Sequence, residues 1–323
     1  MTNRLETTPC LVFQFPGQGS QHVGMGKALA VQFPIARQTF EEADEVLGFS
    51  LSHLCFDGPA ETLTETANAQ PAILTASIAA LRALRYATGG TLTPAYLAGH
   101  SLGEYSALVA AGALSFADAL RLVRLRGELM SRAGQANPGG MAAVLGLDSD
   151  AVEEICRRAS EGGGIVQVAN DNAPGQVVIS GDTQTLERAT ELVKAAGARR
   201  VIRLAVSIAA HSRLMAHAAE GLRRAIEAIQ VRTPAVPIIG NVEVRSLRDA
   251  AEVQRELVTQ LTAPVRWRDT VRQLVHLGAT HFVEVGPGNV LSGLLGRISA
   301  ESKAIAVGDP ESLAAFCQTF AGA

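Results

Sequence analysis

The sequence is poor in cysteine and aromatic residues and carries no excess of basic residues. Its four cysteines, at positions 10, 55, 156 and 317, show no Cys-x-x-Cys spacing, which indicates neither a zinc site nor a disulfide framework. Aromatic residues make up only 4% of the chain, which gives little sign of a large aromatic binding platform. The net charge of −3 disfavours a nucleic-acid-binding protein, because such a protein needs a basic surface.

Long hydrophobic runs are also missing. No apolar run is long enough to span a bilayer, and residues 1–6 contain no apolar signal region. The sequence therefore predicts a cytoplasmic protein with no membrane partner. Hydrophobic residues nevertheless make up 47% of the 323 residues, which is enough for a substantial core and for more than one domain.

A Gly-x-Ser-x-Gly pattern centred on Ser101 follows an apolar run and precedes a sequence typical of a helix. This is the context of a nucleophile elbow, in which Gly99 and Gly103 allow a sharp turn. The helix N-terminus and the backbone N–H of Leu102 would stabilise a developing oxyanion. The Gly-x-Ser-x-Gly pattern alone could equally mark an ordinary turn. The prediction that Ser101 is a nucleophile therefore depends on the strand before the pattern and the helix after it.

A second glycine-rich loop, residues 16–21, follows the first apolar run, which predicts a buried strand over residues 10–15. Its spacing matches neither the dinucleotide-binding fingerprint nor the phosphate-binding P-loop. The loop could instead bring the backbone N–H of Gln18 to the sheet edge beside Leu102 and complete an oxyanion hole. A turn without a catalytic role remains equally open from these residues.

Hydrophobic periodicity predicts helices over residues 72–86 and 114–133. In the second, Arg121 and Arg124 are predicted to be solvated, whereas Arg126 lies among leucines. A buried arginine needs an anion, for which a substrate carboxylate is one candidate. Spacing alone leaves a surface or structural role for Arg126 open.

A further helix is predicted to begin at residues 210–212 and to end near residue 229. His211 at its start is well placed to be a general base, although it could equally cap the helix or pack locally.

Between these segments, residues 136–204 read as strand, helix, strand, strand, helix, strand, which is the ferredoxin-like order. This pattern predicts a small domain over residues 136–204, inserted into a larger catalytic domain of residues 1–135 and 205–323.

Taken in order, a series of motifs resembles the malonyl-CoA:acyl carrier protein transacylase family, which includes the acyltransferase domains of polyketide and fatty acid synthases. The motifs are FPGQGSQ (15–21), NAQPA (68–72), GHSLGE (99–104), RGELM (126–130), GGMAAV (139–144), NDNAPGQVVISG (170–181), AHSRLM (210–215), QLTAPVRW (260–267) and EVGPG (284–288). Each motif is weak alone, but their joint order is highly specific. The predicted fold is α/β, with an α/β-hydrolase-like core, a parallel sheet and an inserted ferredoxin-like α+β subdomain.

The resemblance implies that Ser101 forms an acyl ester and that His211 is its general base. It implies no acidic third member, and the backbone carbonyl of Gln260 is expected to orient the imidazole. Asp171 and Asp182 lie in the inserted domain and need not reach His211.

For the substrate, the resemblance implies that Arg126 binds the malonyl carboxylate and that Gln70, His100 and Ala210 belong to the same site. The amides of Gln18 and Leu102 would form the oxyanion hole, and no metal or other cofactor is needed.

The implied reaction moves malonyl from malonyl-CoA to the phosphopantetheine thiol of an acyl carrier protein, catalysed by a monomer. Three alternatives remain: a trans-acting acyl hydrolase or editing thioesterase, a non-catalytic module, and use of a substituted malonyl group. The last is open because Ala210 stands where polyketide malonyl transferases usually carry Phe. The pathway, fatty acid or polyketide, is also open. Arg199 and Arg200 would help to dock the carrier protein, or would simply end a solvated strand.

Overall fold

The computed structural model describes residues 9–320, so the N-terminal residues 1–6 examined above lie outside the described part. Its strands are β1 (Leu11–Phe15), β2 (Tyr96–Gly99), β3 (Gly139–Leu145), β4 (Val166–Ala173), β5 (Gln176–Asp182), β6 (Arg200–Arg203), β7 (Ile238–Ile239), β8 (Ser246–Leu247), β9 (His281–Val285) and β10 (Lys303–Val307). Its α-helices are α1 (Lys27–Gln32), α2 (Pro34–Leu47), α3 (Leu51–Asp57), α4 (Ala60–Thr64), α5 (Thr66–Ala87), α6 (Gly103–Ala110), α7 (Phe116–Ala136), α8 (Ser149–Ala159), α9 (Thr183–Ala195), α10 (Ala216–Glu227), α11 (Ala250–Thr259), α12 (Trp267–His276), α13 (Val290–Ile298) and α14 (Pro310–Phe320).

The larger sheet of the described chain has the strand order β10-β9-β1-β2-β7-β8 and is parallel except for the final β7–β8 pair. Strand β1 is buried along its whole length, as expected for a strand covered on both faces. Because β1 and β2 are parallel neighbours, the glycine-rich loop after β1 and the Ser101 turn after β2 meet at one edge of the sheet. Ligand sites of open parallel sheets lie at this carboxyl edge.

Helix α5 begins earlier than predicted, at Thr66 rather than Ala72, and Pro71 lies inside it. A proline leaves the carbonyl four residues before it without its helical partner, here that of Ala67. The guanidinium of Arg124 on α7 donates to this oxygen at 3.2 Å and also binds Asn68 and Glu128. The side chain of Arg124 is 32% exposed, so the prediction that it is solvated holds only in part, whereas Arg121 is 61% exposed.

The second sheet of the described residues is antiparallel, with the order β4-β5-β3-β6. Helices α8 and α9 pack with it around a separate hydrophobic core that contains Val144, Val152, Ile179 and Leu186. Its strands run from residue 139 to residue 203, inside the predicted interval 136–204. The sheet joins the larger unit where β4 meets Val265, through a backbone hydrogen bond of 2.9 Å from the Asp171 N–H.

The region around His211 differs from its prediction. His211 has a φ of 56°, in the left-handed region, so it lies in a turn and cannot begin a helix. A short 3-10 helix, Arg213–Met215, follows, and α10 begins only at Ala216. The hydroxyl of Ser212 accepts from the Leu214 amide and caps this start.

Helix α7 runs two residues past Gly134, and strand β10 and helix α14 were not predicted from the sequence. Among residues 9–320, no helix is both long and apolar enough to cross a membrane.

Candidate active site

Two glycines shape the turn that carries Ser101. A Cβ atom on Gly99 would lie 2.0 Å from the Gly103 carbonyl carbon, and one on Gly103 would lie 2.1 Å from the Phe15 carbonyl oxygen. The end of β2, the start of α6 and the end of β1 therefore touch backbone to backbone. Any side chain at these two positions would force them apart, which explains the Gly-x-Ser-x-Gly spacing.

Ser101 has a φ of 51°, an unfavourable value for a residue with a side chain, and polar side chains hold its backbone on both sides. Its N–H donates to Asn241 Oδ1 at 2.8 Å, and its carbonyl accepts from Gln260 Nε2 at 3.0 Å. Asn241 also donates to the Gly99 carbonyl at 2.8 Å. Strained backbone persists only where surrounding contacts over-determine it, and these amides supply such contacts.

The Ser101 hydroxyl lies 2.7 Å from His211 Nε2, and His211 Nδ1 lies 2.8 Å from the Gln260 carbonyl oxygen. A carbonyl only accepts, so Nδ1 carries the proton and Nε2 is left as the acceptor for the serine. His211 is 4% exposed, and burial, followed by the charge of Arg126, lowers its pKa to about 3. The imidazole is thus neutral, and its Nε2 lone pair is free to accept the serine proton.

Arg126 is 2% exposed, so it lies in the interior, and the surface position left open by its spacing is excluded. Its Nη1 donates to Gln70 Oε1 at 2.9 Å, and its Nη2 donates to Gln260 Oε1 at 3.0 Å and to Ser101 Oγ at 3.1 Å. Its guanidinium carbon lies 5.7 Å from the centre of the Tyr105 ring. Burial lowers the pKa of Arg126 and raises that of Tyr105 to about 12.

No carboxylate within the described chain forms a salt bridge with Arg126, and its buried Nε also has no partner there. All its hydrogen-bond acceptors are neutral oxygens. A buried cation with only neutral partners is costly, and an incoming carboxylate would relieve this cost. The guanidinium is therefore suited to bind an anionic group beside the Ser101 hydroxyl.

The other predicted site residues have distinct surroundings. His100 is half-buried and contacts Asn172 on β4, with Nε2 and Oδ1 2.8 Å apart, while Ala210 is buried directly before His211. Neither the Gln18 nor the Leu102 amide donates a hydrogen bond to any described residue, so both remain available to an oxyanion. The side chains of Ser101, His211, Arg126, Gln70 and Gln260 form one connected cluster.

Acidic side chains are absent from the His211 contacts within the described chain. Asp171 forms a salt bridge of 2.8 Å with Arg268, and Asp182 accepts from the Thr185 amide at the start of α9. Residues 9–320 also contain no group of His, Cys, Asp and Glu side chains that could hold a metal ion. Arg199 and Arg200 are exposed, at the start of β6, and outside the cluster.

Two residues that support the site were missed from the sequence: Asn241 and Glu104. Asn241 holds the Ser101 turn, and Glu104, in the first turn of α6, is 1% exposed. The only signal for Glu104 is a charged residue entering an otherwise apolar helix. Asn241 follows an apolar strand and a glycine, a pattern that indicates only a turn and offers no signal for a role in the site.

Comparison with known proteins agrees with this geometry. The profile of a family described as acyl transferase domain matches residues 12–307. The chain is 49% identical over 309 residues to the malonyl CoA-acyl carrier protein transacylase of Bacillus subtilis strain 168, covering 96% of each sequence.

Two solved structures are similar in fold. An acyl carrier protein S-malonyltransferase from Vibrio cholerae has a TM-score of 0.92 at 45% identity, covering 95% of this chain and 99% of its own. A malonyl-transacylase in complex with its type II PKS acyl-carrier protein has a TM-score of 0.92 at 44% identity, covering 96% of this chain and 99% of its own. The chain therefore belongs to the acyl transferase domain family, together with the malonyl CoA-acyl carrier protein transacylases.

Proposed function

We propose that this protein transfers a malonyl group from malonyl-CoA to the phosphopantetheine thiol of an acyl carrier protein, through an ester on Ser101. The observation that carries the proposal is the position of the Ser101 hydroxyl, 2.7 Å from the His211 base and 3.1 Å from the Arg126 guanidinium. A nucleophile, a base and a carboxylate-binding cation thus share one point. The names of the relatives support the same substrate pair.

In the first half of the reaction, Ser101 Oγ attacks the thioester carbonyl while its proton moves to His211 Nε2. The negative charge that develops on the carbonyl oxygen would be stabilised by the amides of Gln18 and Leu102 and by the start of α6. When the tetrahedral intermediate collapses, the carbon–sulfur bond breaks. His211 then returns the proton, and coenzyme A leaves as a thiol.

In the second half, the carrier-protein thiol gives its proton to His211 and attacks the ester carbonyl. Ser101 leaves and recovers the proton, so no net charge or electron is exchanged. A thioester is already an activated acyl donor, and these steps need no metal or redox cofactor. We therefore retain the proposal that the enzyme uses no cofactor.

Mass spectrometry of the intact protein tests this function directly. Incubation with malonyl-CoA is expected to add one malonyl group to the wild-type chain and none to Ser101→Ala. Holo carrier protein should then remove the group and carry it as a thioester. Rapid release of free malonate with or without carrier protein would instead favour the acyl hydrolase. A wild-type chain that forms no adduct would favour the non-catalytic module.

The buried His211 predicts an unusual acid limit for acylation. Since its pKa in the folded protein is about 3, below the usual value near 6.5, the neutral base persists as the pH falls and is lost only near pH 3. The same shift means that His211 disfavours the folded state increasingly below pH 6.5. Single-turnover acylation after brief exposure to each pH, with circular dichroism to detect unfolding, measures the limit. A midpoint near 6.5 in folded protein would contradict a buried, neutral His211.

We propose Arg199 and Arg200 as part of the carrier-protein docking surface, because both are exposed and acyl carrier proteins are acidic. Reversing both charges is expected to slow malonyl transfer to the carrier protein by about tenfold or more. The rate at which the malonyl group exchanges between the enzyme and coenzyme A should stay unchanged. Reversing the exposed Arg121 and Arg224 provides a matched control. Equal slowing of both reactions in the Arg199 and Arg200 variant would exclude docking.

Other finer assignments belong to the same proposal. The larger unit is proposed to be α/β-hydrolase-like, and the inserted unit ferredoxin-like, because its chain order and its sheet order β4-β5-β3-β6 agree with that fold. Four expectations stay predictions: the domain boundaries at residues 135 and 205, the monomeric state, the absence of a nucleic-acid or membrane partner, and the cytoplasmic location. Ala210 keeps a substituted malonyl group open as a second substrate, because a single methyl group changes selectivity by only about 1–3 kcal/mol.

A further inference from the structure

Two buried carboxyl groups lie beneath the active site, outside the reaction described above. Glu104 on α6 is 1% exposed and Glu256 on α11 is 6% exposed. Two consecutive amides bind them: the Asn241 N–H donates to Glu104 at 2.6 Å, and the Val242 N–H donates to Glu256 at 2.8 Å. Because these two amides are consecutive in the chain, the two carboxyl groups lie beside each other. A Cβ on Gly240 would meet the Glu256 carboxyl at 2.8 Å, so this loop wraps closely around the pair.

Both residues whose side chains hold Ser101 are also hydrogen-bonded to Glu104. The backbone of Asn241 donates to one Glu104 oxygen, and Gln260 Nε2 donates to the other. Gln260 in turn binds the Ser101 carbonyl and Arg126 through its side chain, and His211 through its backbone. Glu104 thus touches no reacting atom but contacts the two residues that position all of them.

Two carboxylates in one buried site cannot both be ionised at low cost, and such pairs retain one proton between them. We therefore expect the pair to carry a single negative charge. Burial, followed by the neighbouring Glu256, raises the pKa of Glu104 well above its usual range. The other charged or titratable neighbours are Arg126, Tyr105 and Glu243. Arg126 is the one cation among them, and the neutral amide of Gln260 separates it from the pair.

We propose that Glu104 is a positioning residue of the acyl transfer site, and that it shares one proton with Glu256 so that the pair balances the charge of Arg126 without occupying its guanidinium. The separation by Gln260 leaves the guanidinium free for the carboxylate of the substrate. This inference rests on the function proposed above.

The hydrogen-bond inventory makes the roles of the two glutamates unequal. Glu104 accepts from two donors, the Asn241 N–H and Gln260 Nε2, one on each oxygen. In Glu104→Gln one of these donors must face the new NH₂ group, so the amides that hold Ser101 lose a partner. Glu256 accepts a hydrogen bond from the backbone N–H of Val242 at 2.8 Å. In Glu256→Gln the new side-chain oxygen can still accept this hydrogen bond, while the new NH₂ group donates to an ionised Glu104. The negative charge then stays in place.

Acylation at saturating malonyl-CoA separates these roles. Glu104→Gln is expected to lower the maximal acylation rate by about a hundredfold while the half-saturating malonyl-CoA concentration changes by less than about threefold. Glu256→Gln should lower the rate by less than about threefold. Glu252→Gln, which removes a buried carboxylate one turn earlier on α11, is the matched control and should leave the rate unchanged. Equal rate losses in Glu104→Gln and Glu256→Gln, or none in Glu104→Gln, would overturn the inference.

Infrared difference spectra test the shared proton independently. At neutral pH the carbonyl band of a protonated carboxyl group is expected in the wild type, and it should disappear in Glu256→Gln and persist in Glu252→Gln. An unchanged band in Glu256→Gln overturns the inference, even if Glu104→Gln fails to fold. Adduct formation by the wild type, measured in parallel, separates the two proposals. No adduct refutes the proposed function, whereas an adduct with an unchanged band refutes only the shared proton.

Discussion

Replacing Arg126 with alanine is expected to lower kcat/KM for malonyl-CoA by about a hundredfold or more, while the rate with acetyl-CoA changes little. The guanidinium is 2% exposed, and all its present partners are neutral oxygens, so a substrate carboxylate is the one strong anionic partner it can gain. A hydrogen bond to a charged group contributes about 1.5–3 kcal/mol, and Arg126 can form two with a carboxylate. The ratio of malonyl-CoA to acetyl-CoA acylation rates in the variant measures this selectivity.

Two further variants sharpen this experiment. Arg126→Lys keeps a cation but loses the planar fork, so it should recover only part of the selectivity. Arg121→Ala removes an exposed arginine from the same helix and should leave selectivity unchanged. If Arg126→Ala slows malonyl-CoA and acetyl-CoA equally, the arginine supports the Ser101 hydroxyl, which it contacts at 3.1 Å, and does not select the substrate.

Replacing His211 with alanine is expected to lower the acylation rate by about a thousandfold or more, because no other base in the described chain contacts Ser101 Oγ. Gln260→Ala should cost less, about tenfold to a hundredfold, since the oxygen that binds His211 Nδ1 belongs to the backbone and survives the substitution. Its side-chain contacts to Ser101, Arg126 and Glu104 are the ones lost.

Single-turnover kinetics with each variant provide the measurement, and thermal unfolding separates lost chemistry from lost structure. Equal losses in His211→Ala and Gln260→Ala would contradict the assignment of the backbone carbonyl as the orienting group. In that case the Gln260 side chain would be the essential partner of the base.

Local sequence was sufficient to predict the turn that carries Ser101. The reason is that the elbow at Ser101 depends on neighbouring residues: the apolar strand before it, the helix after it, and the two glycines that prevent backbone clashes of 2.0 and 2.1 Å. His211 could be suspected from its sequence neighbours, but its pairing with Ser101 spans 110 positions and was predicted only from the family resemblance. The family resemblance was also needed to assign Arg126 to the site, because helical periodicity allowed its side chain to lie either in the interior or on the surface.

The errors occurred where distant contacts override local preference. The sequence placed His211 at a helix start, but it has a φ of 56° and lies in a turn, where its imidazole contacts Ser101 and Gln260, 110 and 49 positions away. Helix α5 extends through Pro71 because Arg124, on another helix, binds the carbonyl that the proline leaves free. Neither compensating contact leaves a periodic trace in the sequence.

Much of the order of strands, helices and glycine turns, though not β10 and α14, could be predicted from the sequence, since propensity and turn chemistry act over a few residues. This order specified an α/β protein with a serine elbow and an inserted α+β unit. Folding alone decided the surroundings of that serine: the interior position of Arg126, the turn at His211, and the buried network of Asn241, Gln260, Glu104 and Glu256. Those features depend on desolvation and on hydrogen bonds between residues more than a hundred positions apart, and no local pattern encodes either.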